Sequence, residues 1–110
     1  MDKYLLDENN NPYMVHSMEV WIKGWKEQRE IKKTYIGNTL VSTIFLGFDH
    51  AFLGGNRPIL FKTMVFFTDD PKDEQEHQWR YATWDEAIEH HDEIVDTIQS
   101  TGMTRKVGFI

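Results

Sequence analysis

Asp49 and His50 stand side by side where a strongly apolar run ends. A carboxylate that orients an imidazole is the smallest unit from which a chain without cysteine can build acid–base or metal chemistry. Two further groups join the candidate set: Arg80, which can clamp an anion, and His91, which falls on the apolar stripe of a helix. The four, Asp49, His50, Arg80 and His91, define a small-ligand or metal-site reading, with an enzyme as its extreme form. A plainer reading is open for each. His91 is then a structural histidine tied to a backbone carbonyl or a strand hydroxyl, since a buried polar group needs a partner. Asp49 is a turn-former that caps a loop. His90, next to His91 in the chain, is expected to point outward. No HExxH, His-x-His or cysteine pair is present. No catalytic residue, metal or cofactor is therefore assigned.

The segment that follows Asp49-His50 offers different chemistry. Phe52, Leu53 and Arg57 flank Gly54-Gly55, and aromatic and arginine side chains anchor protein interfaces. The glycines do not form a phosphate loop, because the GxxxxGK[ST] order and a following helix are both lacking. The net charge of −6 is unevenly placed. Residues 1–48 carry six basic and six acidic side chains. Residues 68–96 set Lys72 and Arg80 against Asp69, Asp70, Asp73, Glu74, Glu76, Asp85, Glu86, Glu89, Asp92, Glu93 and Asp96. Such a surface repels phosphate backbones and disfavours direct nucleic-acid binding; it suits a protein partner with a basic surface. Phe52, Leu53, Arg57, Asp69, Asp70, Asp73 and Glu74 are the candidate partner-binding residues. A solvated acidic face is the plainer alternative.

These residues must be positioned by elements that the pattern makes visible. Tyr4-Leu5-Leu6 and Tyr13-Met14-Val15 flank a turn-rich Asp7 to Pro12 and predict a short hairpin or two extended arms. Ser17 precedes an apolar stripe, Met18, Trp21, Ile22 and Trp25, which predicts a capped helix to about Arg29. Gly24 weakens it by about 1 kcal/mol relative to alanine. From Ile31 the period changes to two, and Gly37-Asn38 predicts a type II′ hairpin. That turn pairs Ile36 with Thr39, Tyr35 with Leu40, Lys33 with Ser42 and Ile31 with Ile44. One face then gathers Ile31, Tyr35, Leu40, Ile44, Leu46 and Phe48 and is expected to meet the helices. The other carries Thr34, Ile36, Val41, Thr43 and Phe45.

Ile59 to Phe67 and His77 to Tyr81 read as two more strands, joined by a charged loop over 68–75. Thr83-Trp84-Asp85-Glu86 is a capping box. Trp84, Ala87, Ile88, His91, Ile94, Val95 and Ile98 then form a continuous helical stripe that ends at Gly102. The tail, 103–110, is an edge-strand candidate. The expectation is one α+β domain over 1–110: a four-stranded antiparallel meander with two amphipathic helices packed mainly on one face.

A chain of 110 residues, 40% hydrophobic, can bury one core without staples. The absence of cysteine excludes disulfides and thiolate metal sites, and no apolar run approaches the roughly 18 residues of a membrane span. The start of the sequence does not read as a secretory signal. A cytoplasmic protein with no membrane partner is expected; a homo-oligomer is not excluded.

Three blocks, VSTIFLGFDHAF, LFKTMVF and WRYATWDEAIEHH, occur in this order and together resemble a family of small proteins encoded by bacteriophages and prophages. The resemblance covers about Trp21 to His91. The positions that stand out in it are Asp49, His50, Thr63, Met64, Arg80, Tyr81, Thr83 and His91. Lys62 departs from the pattern, which usually carries an acid there. The resemblance implies a phage context and little chemistry. By analogy with other small phage proteins, it suggests binding to a host or phage protein, with inhibition of a host defence or replication factor as the outcome.

Overall fold

The computed structural model describes residues 2–49, 57–67 and 77–101. Two antiparallel strands come first, β1 (Lys3–Leu6) and β2 (Pro12–Val15). The Asp7 carboxylate accepts hydrogen bonds from the amides of Asn9 and Asn11, and Asn10 takes a left-handed φ of 62°, so the turn chemistry of this loop closes the hairpin. Helix α1 (Met18–Gln28) follows, with Ser17 Oγ accepting from the Val20 amide as its cap.

Strands β3 (Glu30–Ile36), β4 (Thr39–Phe45), β5 (Phe61–Phe67) and β6 (His77–Tyr81) form one antiparallel sheet in chain order. The protein is therefore α+β with the expected four-stranded meander. The β3–β4 register has Ile36 opposite Thr39 and Tyr35 opposite Leu40. Gly37 has φ +57° while Asn38 stays at negative φ, the combination that a type II′ turn requires. Ile31 does not face Ile44. A bulge between Glu30 and Lys32 places Glu30 there instead.

Helix α2 (Trp84–Thr101) packs across all four strands, while α1 packs mainly on the β1–β2 hairpin. The α2 stripe is as the spacing predicts: Ala87, His91, Ile94 and Ile98 are buried, and Trp84, Ile88 and Val95 are half-buried. Half of the α1 stripe stays open, with Met18 54% and Ile22 39% exposed. Its inner side is held by specific contacts. Trp21 Nε1 donates to the Gly47 carbonyl (3.0 Å) and Trp25 Nε1 to that of Phe45 (3.2 Å). The Gln28 side chain makes two 2.8 Å hydrogen bonds to the Leu6 backbone. A Cβ on Gly24 would lie 2.6 Å from Leu5 Cδ1, so the helix-weakening glycine is what lets the hairpin approach.

The face of the sheet that meets α2 is the reverse of the expected one. Val41, Thr43 and Phe45 of β4, with Phe61, Thr63, Val65 and Phe67 of β5, are buried. Tyr35 is 65% exposed, and Leu40 and Ile44 are only half-buried. The hydrophobicity of the expected face came largely from residues outside regular pairing. Leu46 and Phe48 lie beyond the end of β4, and Ile31 sits at the bulge. The face that meets α2 is also the one whose threonine hydroxyls partner His91.

Candidate functional site

The buried face has a layered core. Leu5, Leu6, Val15, Phe45, Leu60, Phe61 and Ala87 form one apolar cluster. Val41, Val65, Phe67, Ile94 and Ile98 form a second. Between them runs a polar row. Thr43 and Thr63 face each other across β4 and β5, with their hydroxyls 2.6 Å apart. His91, with no exposed surface, bonds Thr43 Oγ1 through Nδ1 (2.7 Å) and Thr34 Oγ1 through Nε2 (2.9 Å). Both ring nitrogens are thus partnered. Burial and the nearby Lys32 ammonium push the His91 pKa below its ordinary value, with Asp92 opposing, so the ring is neutral.

The row continues to the far edge of the sheet. Thr63 hydrogen-bonds Tyr81, whose hydroxyl also meets His90 Nδ1. Burial pushes the Tyr81 pKa up to about 12; the Thr63 bond opposes this and the Glu93 carboxylate adds to it. His90 is therefore not simply solvated as expected. It is half-buried, with Trp79 and Tyr81 edge-on at ring distances of 5.3 Å each. The chain Thr34–His91–Thr43–Thr63–Tyr81–His90 is linked side chain to side chain, and its centre, His91, Thr43 and Thr63, is buried between the two apolar clusters. It fixes how α2 sits on the sheet.

The small-ligand cluster does not assemble from its described members. Asp49 Oδ1 accepts from the Ile59 amide (2.8 Å), bridging the strand ends that the loop joins. Its charge also reaches the Tyr4 hydroxyl, whose pKa is raised by burial, Asp2 and Asp49 in that order. His91 is sealed under α2, whereas Arg80 pairs in register with Lys62 on the opposite face of the sheet. Among the described residues no three His, Cys, Asp or Glu side chains could hold a metal ion. Of the proposed interface residues, Arg57 is exposed and lies 3.6 Å from Glu86. His50, Phe52, Leu53, Asp69, Asp70, Asp73 and Glu74 lie outside the described residues, as do Gly54-Gly55, Gly102 and the tail.

The sheet face turned away from α2 carries an unfilled groove. Its side chains fall in three cross-strand rows: Tyr35–Leu40–Phe66, Lys33–Ser42–Met64–Gln78, and Glu30–Ile44–Lys62–Arg80. Leu40, Ile44, Lys62, Met64 and Phe66 are half-buried, and among the described residues no helix is laid across them. Lys26 and Arg29, at the end of α1, border a groove of about 790 Å³ on this face. Arg29 is held by its guanidinium carbon, 5.1 Å from the Trp25 ring centroid. Burial, and then the neighbouring Arg80, push the Lys62 pKa down. The outer side of α2 bears the opposite charge: Asp85, Glu86, Glu89, Asp92, Glu93 and Asp96 are all exposed. No protein-family profile, curated protein or solved structure matches this chain. Among the described residues no helix is long and apolar enough to cross a membrane.

Leu40 and Ile44, expected in the core, line this face instead. The available signal was the alternation of Lys62, Met64 and Phe66 with Thr63 and Val65: a lysine in phase with large apolar residues marks a face that stays open.

Proposed function

We propose that this chain is a phage-type accessory protein that acts by binding another protein, in the manner of inhibitors of host defence or replication factors. Its docking surface is the open face of the four-stranded sheet. The observation that carries this reading is the groove floored by the half-buried Leu40, Ile44, Met64 and Phe66, across which neither described helix is laid. An apolar groove on a small domain suits an interaction site. The polar row supports binding rather than chemistry, since its histidine reaches no open cleft. The three sequence blocks support the phage context.

A photo-crosslinking experiment tests it. A benzoyl-phenylalanine replaces Tyr35, at the edge of the open face, or Glu89, on the outside of α2, and the protein is irradiated in lysate of a bacterial host. The expected result is one discrete adduct from position 35 that disappears when Leu40→Asp is added to a folded protein. Adducts that form equally from both positions, or none from position 35, would overturn the reading.

A further inference from the structure

The open face carries a charge pattern opposite to that of the outer side of α2. Lys33, Lys62 and Arg80 stand on its rows and Lys26 and Arg29 on its rim. Glu30 is the one acid among them, and it is 2.6 Å from Lys33. Among the described residues this patch therefore has five cations against one anion, in a chain whose net charge is −6. Lys62 and Arg80 are directly opposite each other across β5 and β6, and neither has an ion pair among the described residues. Like charges placed opposite one another across strands destabilise the sheet. A carboxylate set between them would remove that repulsion and offset the partial burial of Lys62.

Building on the reading of this face as a docking surface, we infer that its occupant is an acidic, extended peptide segment of a partner protein, with apolar side chains at alternate positions. The spacing follows from the sheet. Successive rows are two residues apart along a strand, about 6.6 Å. A carboxylate at the Lys62–Arg80 row therefore places the side chain two residues on at Met64, and the side chain four residues on between Leu40 and Phe66. The matching pattern is acid-x-apolar-x-apolar, with further acids to meet Lys26 and Arg29. Arg80 donates to the carboxylate in the two-pronged geometry that guanidinium groups favour.

Other occupants fit less well. Single-stranded nucleic acid requires successive aromatic rings for its bases and a positive field along its length. Here most of the floor is aliphatic, and the charged residues on the exposed side of α2 are all acids. A second copy could offer that acidic helix, but the helix has no large apolar side chain on its exposed side to fill the floor.

The test titrates the full chain with three fluorescent probes, read by anisotropy. They are a decapeptide with Glu, Leu and Phe at alternate positions, the same peptide with Lys in place of Glu, and a twelve-nucleotide oligo-dT. The Glu peptide is expected to bind saturably and to weaken as salt rises. The double variant Lys62→Glu/Arg80→Glu should weaken it about tenfold or more and gain affinity for the Lys peptide. Thermal melting confirms that the double variant is folded; Arg80→Gln alone, at an exposed position, gives the same direction if it is not. Equal binding of both peptides, tighter binding of oligo-dT, or sedimentation showing self-association that the double variant abolishes would each overturn the inference. Preference for the Lys peptide, lost in Phe66→Ser, would overturn the charge assignment and leave the face as a docking surface. Failure of both peptides together with no adduct at position 35 would remove both.

Discussion

Replacing Thr43 by valine isolates the polar row from the packing around it. The side chain has no exposed surface, and its hydroxyl lies 2.7 Å from His91 Nδ1 and 2.6 Å from Thr63 Oγ1. Valine is close in shape, so no cavity opens and the change is chiefly polar. Two buried hydrogen bonds are lost, at a net cost of about 1 kcal/mol each. His91 Nδ1 is left without a partner between two apolar clusters, which adds roughly 1 kcal/mol or somewhat more. Thr63 retains Tyr81 and adds little. The expected loss is therefore about 3 kcal/mol, a large share of the roughly 5–15 kcal/mol that holds a domain together. Urea unfolding followed by tryptophan fluorescence and far-ultraviolet dichroism measures it, with an unchanged m-value as the sign that the fold is intact. Removing both partners, in Thr43→Val/His91→Leu, should cost at least about 1 kcal/mol less than the two single losses added together. A Thr43→Val loss below about 0.5 kcal/mol, or full additivity in the double variant, would refute the account of the row.

Three further outcomes follow from the same geometry. His91 has a folded pKa below its ordinary 6.5, so the unfolded chain takes up a proton that the folded one refuses. Stability attributable to it is complete above pH 6.5 and falls as pH drops from there toward the folded value; a pH series of urea midpoints should show this slope, flattened in His91→Leu. Tyr81, pushed up to about 12, should be the late-ionising tyrosine in an absorbance titration at alkaline pH, absent in Tyr81→Phe. Its contribution to stability is complete below pH 10 and is lost as pH rises from 10 towards 12, because the unfolded chain releases its proton first. Gly47 has φ +80°, and a Cβ there would lie 2.5 Å from Trp25 Cδ1. Gly47→Ala should cost about 2–4 kcal/mol in thermal or urea unfolding, from backbone strain and the displaced indole together.

Local signals in the sequence carried the elements well, because each rested on chemistry confined to a few residues. Ser17, the Gly37-Asn38 turn and the Thr83 cap act over one turn of chain, and the α2 stripe needs only helical spacing. The Thr83 hydroxyl caps the Glu86 amide at 3.1 Å, as a capping box should. Which face of the sheet meets α2 was not legible, since both faces of β4 carry large apolar residues and the choice depends on a partner far along the chain. Thr34, Thr43 and Thr63 read singly as ordinary strand residues. Only with His91 in place, 48 positions beyond Thr43, do they become the partners of a buried ring. The juxtaposition of Lys62 and Arg80 was hidden for the same reason, because it depends on the β5–β6 register. Arg80 and His91 looked like companions in the sequence, yet alternation along β6 and burial under α2 put them on opposite sides of the sheet.

Nuclear magnetic resonance of the labelled protein, titrated with the acidic Glu-Leu-Phe peptide, shows whether a partner docks on the open sheet face. Amide shifts concentrated at Lys33, Leu40, Ser42, Ile44, Lys62, Met64, Phe66 and Arg80, with Asp85 to Asp96 little changed, are the expected result. Shifts centred on the outer side of α2, or none at saturating peptide, would contradict it.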